Sequence, residues 1–277
     1  MKNRITTLMF GLILFGCGPS GDNETTTKQL LVGGASGTEL AVDQVFRKNN
    51  CSYPGTLDPH RAEGVPASNV LRDLYEGLVS EEANGNYIPG VAESWTISDD
   101  GKTYRFKIRD NAFWSNGDRI VAEDFVFSLR RSVDPQTLSN YSSMLYPIKN
   151  ARDVVLGKLS PDVLGVSAES DKILVIQLEE PTPYFISLLT HSTTYPVHPP
   201  SVKKHGSAFT RPENMISNGA FTLSNWRIQD YILLTRNEKY WDDANTTLSE
   251  VYYYPLDNPD ASLRRYRANE LDFTDTT

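Results

Sequence analysis

From Thr103 to Arg109 the chain alternates without a break, with Tyr104, Phe106 and Ile108 on one side and Arg105, Lys107 and Arg109 on the other. A period of two predicts a strand with one face against a core. Asp99-Asp100-Gly101-Lys102, just before it, is turn chemistry in which Gly101 is free to take positive φ. A second turn at Ser115-Asn116-Gly117-Asp118 leads to Ala122-Glu123-Asp124, which opens a helix whose acidic first turn suits the positive end of its dipole. Phe125, Leu129 and Val133 follow at four-residue steps, so one stripe of that helix faces a core.

The same pattern continues to either side. Leu30-Leu31-Val32 reads as a first short strand. Leu57 to Pro66 holds two prolines that argue against a helix across it, and on chemistry alone it is a connecting loop. Ser68 or Asn69 is the expected cap of a helix with Val70, Leu71, Leu74 and Leu78 as its apolar stripe, and Asn84-Gly85-Asn86 turns the chain. Thr137 to Tyr146 is polar and aromatic without a clean period. Lys172 to Leu178 is a β-branched strand, and Thr182-Pro183 starts a helix over Tyr184–Leu189, with proline where its missing N–H costs nothing. Pro196 to Pro200 reads as a link between domains. Beyond it come the apolar run Tyr231–Thr235, aromatic core candidates at Tyr240 and Trp241, and a last helix opened by Asn258 and Pro259.

At 277 residues, with 39% apolar and 22% charged side chains, the chain is long enough for one large core or two moderate ones. Its net charge of −8 argues against a nucleic-acid partner, which would need a basic face. Lys2 and Arg4 precede an apolar run from Leu8 to Phe15 that is too short to span a bilayer, as in an export signal. Cys51 is the one other cysteine besides Cys17, so no internal disulfide framework is expected, and a small buried or half-buried thiol fits it best.

Catalytic chemistry is not signalled. The sequence holds no G-x-S-x-G, H-E-x-x-H, C-x-x-C or P-loop, and Gly33-Gly34-Ala35-Ser36-Gly37 lacks both a following lysine and dinucleotide spacing. His60, His191, His198 and His205 are scattered, so neither a metal nor any cofactor is expected.

The ordered run A-E-S-W, D-G-K-T-Y-R-F-K-I-R, A-F-W-S-N-G and A-E-D-F-V-F-S resembles the signature of the bacterial extracellular solute-binding proteins of family 5, the peptide-binding group of ABC importers. S-N-G-A-F at Ser217, N-E-K-Y-W-D at Asn237 and Y-R-A-N-E-L-D at Tyr266 extend the resemblance, with Asn269 where the family places glycine; asparagine also tolerates the left-handed turn needed there. The resemblance implies a mixed α/β, periplasmic-binding-protein-like class II fold. Domain I would be residues 28–75 and 201–277, and domain II an insertion of residues 76–200. It matches the first half of family members, so a fragment lacking the second lobe, and weak or absent peptide binding by the chain alone, are expected.

Leu14-Phe15-Gly16-Cys17 resembles a lipoprotein processing site, which implies a signal over residues 1–16, lipid on Cys17 and a tether over residues 17–27. D-P-H-x-x-E-G-V-P, from Asp58 to Pro66, is similar to the oligopeptide-binding branch and implies that Glu63, Gly64 and Val65 hydrogen-bond a peptide main chain. Tyr141 stands where that branch has a ligand-touching tyrosine. The implied partners are an oligopeptide, an ABC permease and ATPase, and a membrane holding the lipid, with the protein itself a monomer; relatives of this fold carry dipeptides, murein peptides, nickel, haem or sugars instead.

Overall fold

A computed structural model describes residues 40–274, so the expected signal, Cys17, the tether and the Leu30–Val32 strand lie outside the described residues. The described residues from Ala41 onward belong to one compact unit. Ten strands, β1 (Val45–Asn49), β2 (Val79–Glu81), β3 (Tyr87–Pro89), β4 (Ala92–Ile97), β5 (Thr103–Ile108), β6 (Val166–Ser170), β7 (Ile173–Gln177), β8 (Phe221–Arg227), β9 (Tyr231–Arg236) and β10 (Glu250–Tyr254), form two four-stranded sheets and a small hairpin. Six helices accompany them: α1 (Gly64–Leu74), α2 (Ala122–Val133), α3 (Ala151–Val155), α4 (Phe185–Leu188), α5 (Pro199–His205) and α6 (Pro259–Arg267).

One sheet has the order β4-β5-β7-β6, all antiparallel. The alternation in β5 sets its register: Tyr104 pairs with Ile176 and Phe106 with Leu174, and all four are buried, while Arg105 and Lys107 stay exposed. Phe125, Leu129 and Val133 of α2 are buried as their spacing predicts. The entry to α2 is fixed by Asp124, whose carboxylate accepts from the Val121 N–H at 3.1 Å and from Trp114 Nε1 at 3.0 Å.

The other sheet has the order β1-β10-β9-β8, with β1 parallel to β10 and the rest antiparallel. Its buried side carries Leu223, Ile232, Leu234, Val251 and Tyr253, in one core with Val70, Leu71 and Leu74 of α1. Tyr253 ties β10 to that helix by donating to Asp73 Oδ2 at 2.6 Å, with the Asn69 carbonyl 3.1 Å away.

The helix ends differ from expectation in ways that matter for the site. α1 begins at Gly64, not at Ser68 or Asn69, because a proline is tolerated in a first turn where no intrahelical acceptor is needed. Leu78 is buried but lies past the end of the helix at Leu74. The Pro196–Pro200 stretch is no exposed link: Thr193 through His198 are buried, and Pro199 starts α5 with His198 as its cap. Cys51 is exposed in a turn at φ 58°, not buried. Asn258 caps α6, and Asn269 takes the left-handed conformation at φ 58°. Among the described residues no helix is long and apolar enough to cross a membrane.

Candidate functional site

Glu63, Gly64 and Val65 form the entry to α1, and all three are exposed, Val65 at 69%. Glu63 is extended at φ −130° and ψ 149°, and Gly64 sits at φ +78°, a conformation that suits glycine and strains other residues. No side chain caps this end, and the N–H groups of a first helical turn have no intrahelical acceptor. The segment therefore offers main-chain donors at the surface. Asn50 steadies it from below by donating to the Pro66 carbonyl at 2.9 Å and accepting from Asn69 Nδ2 at 3.0 Å.

Gly64 and Val65 share a cavity of about 220 Å³ with Tyr141, His191 and Ser192. The structure thus brings three of the four expected ligand residues to one wall system, with Glu63 adjacent in sequence but not lining it. His191 was not anticipated. Its ring packs edge-on to Tyr141 at 4.9 Å, and its Nδ1 accepts from the Thr193 N–H at 3.2 Å, which leaves the proton of a neutral ring on Nε2. Burial, and then the charge of Arg72, push His191 below its ordinary pKa, which favours the neutral ring.

A larger cavity, about 500 Å³, lies past the other end of α1 and is lined in part by Arg72, Glu76, Ser80, Glu81 and Tyr240. Glu76 is its organising group. Its carboxylate accepts from Tyr240 Oη at 2.7 Å and Trp241 Nε1 at 2.6 Å, while its main chain exchanges two hydrogen bonds with the Asn218 side chain at 3.2 and 2.9 Å. Arg109 stacks 3.7 Å from the Trp241 ring. Burial raises the Glu76 carboxyl, and the bonds from Tyr240 and Trp241 only partly offset this. Tyr240 and Trp241 are therefore half-buried clasps on a carboxylate, not plain core aromatics. Among the described residues, no group of three or more His, Cys, Asp or Glu side chains is placed to hold a metal.

An exposed main-chain edge beside a small cavity can pair with the main chain of an extended ligand. A model of the family described as bacterial extracellular solute-binding proteins, family 5 Middle, matches residues 86–277. The chain belongs to this family of solute-binding proteins. Among its curated relatives, the periplasmic oligopeptide-binding protein OppA of Salmonella typhimurium is 43% identical over 241 residues, which are 86% of this chain and 44% of that one. The probable deoxycholate-binding periplasmic protein YgiS of Escherichia coli is 44% identical over 239 residues, 86% of this chain and 45% of that one. The crystal structure of Haemophilus influenzae OppA in complex with the peptide RPPGFSPFR aligns with a TM-score of 0.83 at 42% identity, covering 85% of this chain and 46% of that one. The chain thus spans a little under half the length of these relatives and has the mixed α/β fold of that half.

Proposed function

We propose that this chain is part of the solute-binding lipoprotein of a peptide ABC importer, and that it holds oligopeptides through main-chain hydrogen bonds along Glu63, Gly64 and Val65, with Tyr141 alongside. The observation that carries the reading is the shared cavity of Gly64, Val65 and Tyr141 at an uncapped helix entry. A peptide laid along such an edge can place its C=O groups against these free N–H donors, each bond worth about 0.5–1.5 kcal/mol whatever the side chains are. The likeness to oligopeptide-binding relatives supports the same reading.

In this proposal the sheet of β1 and β8–β10 with α1 belongs to domain I, residues 28–75 and 201–277, and the sheet of β4–β7 to the inserted domain II, residues 76–200. Cys17 carries the lipid that anchors an exported monomer, and a permease and ATPase receive the ligand. The protein binds and releases without catalysis. Calorimetric titration of the intact protein with tri- to pentapeptides of unrelated sequence tests this: comparable binding across the set is expected. Heat from deoxycholate and none from any peptide would reject it in favour of a sterol-like ligand.

A further inference from the structure

The walls of the Gly64–Tyr141 cavity come from three separate stretches of chain, and their roots meet at one buried polar cluster. Asp58 lies five residues before Glu63. Its side chain is only 5% exposed, and it receives a two-pronged contact from Arg131 of α2, Nη1 to Oδ1 at 2.9 Å and Nη2 to Oδ2 at 2.6 Å. The same Nη1 lies 2.7 Å from His60 Nδ1. A guanidinium only donates, so Nδ1 accepts, the ring proton sits on Nε2, and Nε2 donates to the Tyr195 carbonyl at 2.9 Å. Asp58 also folds its own turn: Oδ1 accepts the His60 N–H at 3.1 Å, and its carbonyl accepts from Arg61 and Ala62 at 3.0 and 2.8 Å.

Each contact reaches a different wall. The Asp58–Ala62 turn runs directly into Glu63–Val65. Arg131 sits near the end of α2, and the chain leaving that helix carries Tyr141. Tyr195 closes the short turn Ser192–Thr194 that His191 caps, and Ser132 of α2 fastens that turn again by donating to the Thr193 carbonyl at 2.5 Å. A buried ion pair contributes little net stability, because desolvation offsets its attraction, but its fork geometry fixes direction. We infer that Asp58, His60 and Arg131 are positioning residues that hold the Glu63–Val65 edge at a set distance from the Tyr141–His191 wall. The inference rests on the reading that this edge pairs with a peptide main chain.

The test replaces the pair by apolar groups of similar volume, Asp58→Leu with Arg131→Met, in the intact protein, with Arg131→Lys as a second variant that keeps the charge and loses the fork. Thermal unfolding reports folding, titration with a tetrapeptide reports affinity, and 15N relaxation at Gly64 and Val65 without peptide reports edge rigidity. The expected result is a folded apolar variant whose affinity drops at least about tenfold and whose order parameters at Gly64 and Val65 fall from about 0.85 towards 0.6, with Arg131→Lys intermediate. A folded variant with unchanged order parameters, or with affinity within about twofold of the parent, overturns the inference. A parent protein that binds no peptide overturns the peptide reading instead, and the relaxation measurement then decides the positioning role by itself.

Discussion

Replacing Glu76 by alanine should be among the more damaging single changes in the chain. The side chain accepts from Tyr240 Oη at 2.7 Å and Trp241 Nε1 at 2.6 Å, and it joins the end of α1 to the segment after β9. Hydrogen bonds to a charged acceptor are worth about 1.5–3 kcal/mol each, so two donors left bare amount to about 3–6 kcal/mol. The carboxylate is itself costly to bury, as its raised pKa records, and its removal returns part of that, leaving a net loss of about 2–4 kcal/mol. Tyr240→Phe removes one donor and should cost about 1–2 kcal/mol. The double variant should cost less than the sum of the two, with a coupling of at least about 1 kcal/mol. Urea unfolding followed by tryptophan fluorescence gives these differences, with the slope of the transition unchanged. A loss below about 0.5 kcal/mol for Glu76→Ala, or strict additivity with Tyr240→Phe, would refute the clasp.

Two further outcomes follow from the packing and the buried histidine. Gly219→Ala would place a Cβ 2.6 Å from the Asp73 carbonyl oxygen and 2.7 Å from the Tyr75 nitrogen, both backbone atoms that cannot swing aside, so thermal unfolding should show a loss of about 1–3 kcal/mol; a neutral result contradicts the close approach of the segment before β8 to the end of α1. His60 is held down to about 4 from 6.5, by burial first and the charge of Arg131 second. The folded state therefore favours the neutral ring, so its contribution is complete above pH 6.5 and is lost progressively as pH falls towards 4, on the order of 3 kcal/mol in all. Unfolding free energies at pH 7 and pH 5 should differ more for the parent than for His60→Gln, and equal differences would count against the assignment.

What was legible in the chain follows from how local each cause is. Tyr104, Phe106 and Ile108 announce β5 because a period of two is a near-neighbour property, and Phe125, Leu129 and Val133 announce α2 for the same reason. Asn269 reads as a left-handed turn residue because the family places glycine there and asparagine tolerates the same conformation. The start of α1 was misplaced because Pro66 stops a helix in its interior and not in its first turn, and the choice between the two depends on what packs below. Pro196 to Pro200 looked like a linker because proline content is a surface signal, yet tertiary packing buries most of it.

At the site, Glu63–Val65 and Tyr141 stood out through family resemblance and not through spacing. His191 meets Tyr141 across 50 residues of sequence, and Arg131 meets Asp58 across 73, so no window of local pattern contains either pair. Trp241 and Tyr240 read as core aromatics because nothing nearby in sequence reveals the Glu76 carboxylate that they serve.

The central claim, that a ligand is held by its main chain against Gly64 and Val65, is tested most directly by titrating the intact protein with one tetrapeptide and its backbone amide-to-ester versions. An ester removes the N–H and weakens the carbonyl as an acceptor without altering side chains. At least one ester position is predicted to weaken binding by about 1–3 kcal/mol, roughly 5- to 150-fold, while exchanging side chains has much less effect. Affinity that is indifferent to every backbone ester but follows side-chain identity would contradict it.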